Sequence, residues 1–164
     1  MSSEDEKLRR EEAQALFQQA YQHQMRGELD EAIELYKRSI ELYPTAEGHT
    51  FLGWTYSFQG RVEDAIQECL RAIEVDPTFG NPYNDIGAYL VEKDRLDEAI
   101  PWFERALRAP RYESYCFPHF NLGRVCERKH LYARALEEYK KALAENPQHL
   151  GALQSVRRIQ AMLN

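Results

Sequence analysis

Small and apolar residues recur in this 164-residue chain with two periods, one short and one long. The short period is helical, because the apolar residues of each unit fall at positions i, i+3, i+4 and i+7, as in the stripe formed by Ala65, Cys69 and Ala72. The long period is set by four alanines that lie 33, 34 and 36 residues apart: Ala32, Ala65, Ala99 and Ala135. Helical units repeated at this spacing predict an all-α solenoid in which neighbouring units share a core.

Residues that break helices predict where each helix ends. Gly27 and Gly60 fall at the end of the first helix of their units, where glycine reaches a positive φ at low cost. Since the residue before a proline avoids the α region, the second helix of each unit should end near a proline: Pro44, Pro77, Pro110 and Pro147. The third unit departs from this pattern. Asp94 replaces its turn glycine, and Pro101 falls inside its second helix, which should bend there.

The repeated unit resembles the tetratricopeptide repeat, whose pattern reads W-x2-L-G-x2-Y, followed by alanine, an aromatic residue, alanine and proline. The second unit carries the best match, at Leu52, Gly53, Tyr56, Gly60, Ala65, Ala72 and Pro77. The resemblance implies a single domain, a right-handed superhelical solenoid of antiparallel helix pairs. Its expected parts are a polar extension of the first helix (1–12), four repeats (13–45, 46–79, 80–113 and 114–147) and a C-terminal capping helix (148–164).

The charge distribution narrows the classes of partner. A formal charge of −6 and a pI near 5.4 argue against nucleic acid, because phosphate contacts need clustered basic residues. Residues 1–79 hold eight basic and sixteen acidic side chains, whereas residues 80–164 hold thirteen and eleven. This asymmetry could favour head-to-tail association into a weak homo-oligomer, although solvated helix faces of mixed charge explain it more simply.

The sequence also predicts the compartment of the protein. No apolar run reaches the length of a membrane span, and the charged start of the chain lacks the apolar region of a secretory signal. We therefore expect a cytoplasmic protein that does not insert into membranes. Three cysteines, an odd number without a C-x-x-C pair, should be reduced thiols: Cys69, Cys116 and Cys126.

Motifs that carry chemistry are missing from the sequence. The five histidines form no H-x-x-x-H pair, and neither a phosphate-binding glycine loop nor a G-x-S-x-G nucleophile motif occurs. The sequence pattern does not bring a nucleophile, a general base and a transition-state stabiliser together in one catalytic site. The expectation is therefore a protein without catalytic, cofactor or metal residues, which is not an enzyme.

In the tetratricopeptide repeat family, the first helix of each repeat lines a concave groove. Carried over to this sequence, the resemblance implies these groove residues: Phe17, Tyr21, Phe51, Trp54, Phe58, Asn84, Asp85, Phe117, Phe120, Asn121 and Arg124. Because aromatic residues dominate interface hot spots, we expect a scaffold or adaptor that binds an apolar or amphipathic segment of another protein. Two alternatives remain: the rings pack on each other or on a terminal helix, or stacked solenoids form a self-assembling structural module.

Chaperone-binding members of the family clamp a terminal carboxylate with lysine, arginine and asparagine side chains in this groove. The corresponding positions here include Thr50, Trp54 and Asp85, and the Asp85 carboxylate would repel such a ligand. A chaperone C-terminal tail is therefore disfavoured as the partner. Trp102, on a second helix, is expected to be partly exposed; it either forms a docking patch or fills space beside Pro101.

Overall fold

The computed structural model describes all residues 1–164 and consists of nine α-helices without a β-strand. An all-α chain, as the sequence predicts, is therefore confirmed. The helices are α1 (Ser3–Met25), α2 (Leu29–Leu42), α3 (Ala46–Phe58), α4 (Val62–Val75), α5 (Asn81–Glu92), α6 (Leu96–Arg108), α7 (Cys116–Arg128), α8 (Tyr132–Glu145) and α9 (Leu150–Leu163).

Consecutive helices form four pairs that stack in chain order. The closest packing is within the pairs α1–α2, α3–α4, α5–α6 and α7–α8, and each pair then contacts the next one along the chain. Helix α9 packs on α8 and closes the last repeat. The result is the predicted helical solenoid, whose core continues from repeat to repeat because one helix pair cannot bury both of its faces.

Close approach of the two helices within each pair depends on glycine. A Cβ atom at Gly53 would lie 2.9 Å from the carbonyl oxygen of Ala65, as expected from the sequence pattern. A Cβ atom at Gly87 would lie 2.5 Å from the ring of Phe103, which is completely buried. These distances are shorter than carbon contacts allow, so the core requires glycine at both positions.

The turn after the first helix of each repeat needs a left-handed residue. Gly27 and Gly60 have φ angles of 78° and 75°, which confirms the predicted role of these glycines. Asp94 and His130 occupy the same turn with φ angles of 59° and 61°. The third and fourth repeats therefore keep the turn geometry without the residue that adopts it most cheaply. Helix α6 continues through Pro101 to Arg108.

Arg111 ties the connection between α6 and α7 to the second repeat. Its guanidinium lies 2.7 Å from a carboxylate oxygen of Glu47 and 2.9 Å from one of Asp76. It also lies 4.4 Å from the centre of the Phe79 ring. The backbone N–H of Arg111 donates to the carbonyl oxygen of Thr78 at 3.0 Å. These contacts fix the conformation of the irregular segment between α6 and α7.

The two ends of the solenoid differ. The first ten residues lie almost entirely in α1 and are exposed, and the Ser2 side chain caps that helix by accepting from the N–H of Asp5. At the other end, Ile159 of α9 is completely buried, and Arg158 donates to both carboxylate oxygens of Glu127 at 2.6 and 2.7 Å. No helix combines the length and the apolar character needed to cross a bilayer.

Candidate functional site

Five aromatic side chains form a continuous row, the aromatic strip, on the first helices of the first two repeats. Its members are Phe17 and Tyr21 of α1 and Phe51, Trp54 and Phe58 of α3. The centre of the Phe51 ring lies 5.2 Å from that of Phe17, 5.9 Å from that of Tyr21 and 5.8 Å from that of Trp54. The Trp54 and Phe58 rings follow at 5.1 Å. The three contacts of Phe51 are edge-to-face, an arrangement that aromatic pairs favour.

The aromatic strip is partly buried and partly open. Phe17 and Phe51 pack against the main hydrophobic core, which fixes the base of the strip. Tyr21 and Phe58, at its two ends, are 38% and 57% exposed. Internal packing and an accessible surface therefore coexist here. A row of aromatic rings held rigidly by the core can present apolar area to a partner with little loss of side-chain entropy.

Asp85 lies beside the aromatic strip and lines a cavity. The cavity has a volume of about 230 Å³ and is lined by Thr50, Phe51, Trp54, Asn81 and Asp85. Burial raises the pKa of Asp85 from 3.8 to about 7. The ionisable groups near this carboxyl are the Cys69 thiol and two tyrosine hydroxyls, those of Tyr89 and Tyr112, none of which is a cation.

The two predicted asparagines of the groove meet directly. The amide nitrogen of Asn121, on α7, donates to the side-chain oxygen of Asn84, on α5, at 3.0 Å. This bond joins the third and fourth repeats across their first helices. One donor and one acceptor of the pair are satisfied within the protein, and the remaining amide groups are partly exposed.

The remaining predicted groove residues lie against the capping helix. The Phe120 ring lies 4.7 Å from the imidazole of His149 and 5.6 Å from the Tyr139 ring, and it contacts Gly151 at the start of α9. Phe117 also meets His149, at 5.7 Å, but remains 47% exposed. The guanidinium of Arg124 lies 5.9 Å from the Phe120 ring. Packing on a terminal helix thus accounts for much of the Phe120 surface, and the aromatic strip is separate from this cluster.

Sequence reasoning missed two polar pairs inside the helix hairpins. The Nδ1 atom of His49 lies 2.7 Å from Glu68, and that of His119 lies 2.9 Å from Glu138. Glu68 and Glu138 are buried. Each glutamate has a basic neighbour three residues later, Arg71 or Lys141. The shared spacing of nineteen residues between histidine and glutamate was the signal that could have revealed the pairs.

Trp102 occupies the same position in the third repeat as those glutamates do in the second and fourth. Its ring stacks on Tyr83 with the centres 6.3 Å apart, and the guanidinium of Arg105 lies 4.7 Å from both ring centres. The tryptophan is partly buried. It therefore replaces an ion pair with an aromatic and cation–π contact between α5 and α6.

The other side chains that could bind a metal or act as nucleophiles do not lie together in one site. The structure contains no cluster of three or more histidine, cysteine, aspartate or glutamate side chains that could hold a metal ion. The cysteines are free and buried, and burial raises the pKa of each thiol: Cys69, Cys116 and Cys126. A buried thiol with a raised pKa is a poor nucleophile.

Comparison with known sequences identifies the family. One model of the tetratricopeptide repeat matches residues 13–46 and 116–149, and a second model of the same repeat matches residues 46–79 and 81–111. The matches cover most of the chain, and the structure has four helix pairs followed by a C-terminal helix. The chain belongs to the tetratricopeptide repeat family.

Individual relatives share the repeat over part of their length. Tetratricopeptide repeat protein 21B of Mus musculus is 28% identical over 132 residues, which is 80% of this chain and 10% of that protein. An uncharacterized protein of Haemophilus influenzae is 31% identical over 64 residues, 39% of this chain and 36% of that protein. The chain therefore spans about a third or less of the length of these relatives.

Solved structures reproduce the same arrangement of helices. PilF of Pseudomonas aeruginosa superposes with a TM-score of 0.87 at 22% identity, over 94% of this chain and 70% of that one. MamA superposes with a TM-score of 0.72 at 26% identity, over 87% of this chain and 83% of that one. The first repeat domain of Spaghetti (RPAP3), solved with a bound HSP90 peptide, gives 0.66 at 19% identity, over 73% and 93%. At these identities PilF and Spaghetti are evidence for the fold alone.

Proposed function

We propose that this chain is a protein-interaction module that binds an apolar or amphipathic segment of a partner protein along the aromatic strip. The family and the fold support a role in protein binding. The observation that carries the location is the row of rings from Tyr21 to Phe58, which the core holds in place and whose two ends are exposed. Rigid aromatic side chains of this kind contribute most to binding free energy in protein interfaces.

A segment that ends in a free carboxylate does not fit this groove as the main ligand. Spaghetti is the protein in this comparison whose structure holds an HSP90 peptide. In the present groove, the polar side chains that line the cavity beside Phe51 and Trp54 are Thr50, Asn81 and Asp85, and none is cationic. A terminal carboxylate would lose its hydration beside Asp85 without gaining an ion pair, so a chaperone tail is disfavoured.

We also propose that the module acts without catalysis, cofactor, metal or nucleic acid, and that it works in the cytoplasm without membrane insertion. The acidic net charge and the scattered distribution of the titratable groups support this combination. Cell fractionation with an antibody against the native protein tests the location.

Tryptophan fluorescence tests binding at the aromatic strip, because the chain has only two tryptophans. In a Trp102→Phe variant, Trp54 becomes the single reporter. Peptides selected from a random display library should shift its emission to shorter wavelength as water is displaced from the ring. In the reverse variant, Trp54→Phe, the emission of Trp102 should not change.

Calorimetry with matched variants measures the contribution of the strip. Phe58→Ala should weaken binding of the selected peptides by about tenfold or more, since exposed aromatic anchors are worth about 1–2 kcal/mol or more. Leu131→Ala is the control, because Leu131 is a similarly exposed apolar side chain in the turn before α8. Equal affinity for the wild type and Phe58→Ala would exclude the strip as the binding surface.

Self-assembly is a second candidate function, and the observation that favours it is the uneven charge. The first half of the chain is strongly acidic and the second half is slightly basic, as counted above. Head-to-tail contacts between copies would be electrostatic and would weaken with salt. Light scattering over a range of protein concentrations tests this: a constant monomer mass at low salt would exclude it.

A further inference from the structure

We infer that the segment bound by the aromatic strip carries an arginine side chain that enters the cavity between Trp54 and Asp85. This inference rests on the proposed function and adds the chemistry of the ligand to it. It follows from the charge of the cavity, from the geometry of its wall and from the contrast with the other buried carboxylates of the chain.

Three other buried or partly buried carboxylates of this protein have cationic partners. Glu68 contacts His49 and Arg71, Glu138 contacts His119 and Lys141, and Glu127 receives two hydrogen bonds from Arg158. Such pairing is the usual condition for keeping a carboxylate out of water.

Asp85 lacks a partner of this kind. The ionisable side chains whose pKa the Asp85 charge raises come from α4 (Cys69), from α5 itself (Tyr89) and from the α6–α7 connection (Tyr112). All three are neutral at pH 7, because the ordinary pKa values of a thiol and of a phenol lie above 7 and burial raises them further. The protein thus holds an acidic side chain in its groove without a cationic partner, and an external cation would complete the site.

The wall of the cavity suits a guanidinium group better than an ammonium group. Trp54 provides an aromatic ring in the lining, and arginine stacks on aromatic rings more often than lysine does. Thr50 already donates its hydroxyl proton to the carbonyl oxygen of Ala46 at 2.7 Å, so its oxygen is left as an acceptor. With Asn81 and Asp85, the cavity offers oxygen acceptors around an aromatic ring, which matches the several N–H donors of arginine.

The same geometry predicts how binding responds to pH. Burial places the pKa of Asp85 at about 7, so the carboxyl is only partly ionised at neutral pH. An arginine bound beside it favours the ionised form and lowers that pKa, and binding therefore releases a proton. Affinity for an arginine peptide should rise between pH 6 and pH 8, by about tenfold or less, whereas a neutral peptide should show no such dependence.

The experiment uses the full chain and a display library of random short peptides. Selections run in parallel on the wild type, Asp85→Asn, Asp85→Lys and the control Glu74→Gln, which removes an exposed carboxylate on α4. The wild type and the control should enrich peptides with arginine at one fixed position among aromatic or leucine residues. Asp85→Lys should enrich glutamate or aspartate at that position instead.

A pair of synthetic peptides then measures how much the positive charge of the arginine contributes to the binding affinity. The best wild-type peptide is compared with an analogue in which citrulline, which is neutral and of the same shape, replaces the arginine. We expect citrulline to weaken binding to the wild type by about tenfold, and binding to Asp85→Asn by about twofold or less. Thermal melting checks the fold, and Asp85→Asn should melt no lower than the wild type, because it removes a buried unpaired carboxylate.

The possible outcomes separate this inference from the proposed function. Peptides that require Trp54 and Phe58 but show no preference for arginine would overturn the inference and leave the proposed function standing. An arginine preference that survives in Asp85→Asn would overturn it as well. Selection of no peptide, or of peptides indifferent to Phe58→Ala, would overturn the proposed function, and the inference with it.

Discussion

The imidazole Nδ1 atom of His49 lies 2.7 Å from a carboxylate oxygen of Glu68, and the same pair recurs two repeats later as His119 and Glu138 at 2.9 Å. Both pairs join the two helices of one repeat. The first repeat has leucines at these two positions, Leu16 and Leu35, and the third has Tyr83 and Trp102, so one register carries three kinds of contact. The repeats therefore share the backbone arrangement at this pair of positions, but the type of side-chain contact differs among them.

Removing one partner of such a pair should be costlier than removing both. His119→Leu leaves Glu138 buried with only Lys141 nearby, and we expect it to lower the free energy of unfolding by about 1–3 kcal/mol. The double variant His119→Leu/Glu138→Leu copies the first repeat and should recover most of that loss. Urea denaturation at pH 7 measures all three proteins; additive losses in the double variant would contradict the coupling.

Gly87 should tolerate no side chain. Its missing Cβ would lie 2.5 Å from the ring of the completely buried Phe103, so Gly87→Ala must displace that ring. We expect a loss of about 1–3 kcal/mol, and a larger loss for Gly53→Leu, where the obstacle is the backbone oxygen of Ala65. A denaturation midpoint unchanged by either substitution would show that the helices of these repeats are farther apart than described.

Glycine at the fourth turn should stabilise the protein. His130 has a φ angle of 61°, whereas Gly60 fills the equivalent turn of the second repeat at 75°. We expect His130→Gly to raise the free energy of unfolding by about 0.5–1 kcal/mol, because relief of left-handed strain exceeds the added entropy of the unfolded chain. The reverse change, Gly60→Ala, is the control and should destabilise by a similar amount in the same assay.

Asp85 should make the protein less stable as the pH rises. Its pKa is about 7 in the folded protein and near 3.8 when unfolded, so between these values the folded state binds more protons than the unfolded state. The free energy of unfolding therefore decreases across this window as the pH rises, and the decrease is complete above pH 7. Asp85→Asn should remove this decrease and gain about 1–3 kcal/mol relative to the wild type at pH 8.

The difference between Asp85→Asn and the wild type isolates this effect from other carboxyl groups. Burial would raise the pKa of Glu138, but hydrogen bonds and charge from His119 and Lys141 hold it below its ordinary value. That group loses stability as the pH falls, which is the opposite direction, and it is common to both proteins. Thermal melting from pH 5 to pH 8 measures the difference; parallel curves would show that Asp85 titrates normally.

The helix pairs could be predicted from the sequence because they depend on local rules. The alanines that follow Ala32 at intervals of 33 to 36 residues mark the repeat, and the turn glycine Gly60 and the contact of Gly53 with Ala65 lie within a single repeat. Helical periodicity and the conformational freedom of glycine act over a few residues, so a pattern in the chain is enough to infer them. The aromatic residues of the predicted groove came from the resemblance to the family, carried over in the register of the first helices.

The arrangement of the candidate site could not be predicted from such local patterns in the sequence. Phe120 packs on α9, Asn121 bonds to Asn84, and Asp85 stands without a cation beside Trp54. These relationships join residues about thirty positions apart, in different repeats. They depend on how far each repeat rotates against the next, and small rotations move side chains by several ångströms at the groove. The periodicity of the sequence does not determine this rotation, because the rotation results from packing among all the side chains of the shared core.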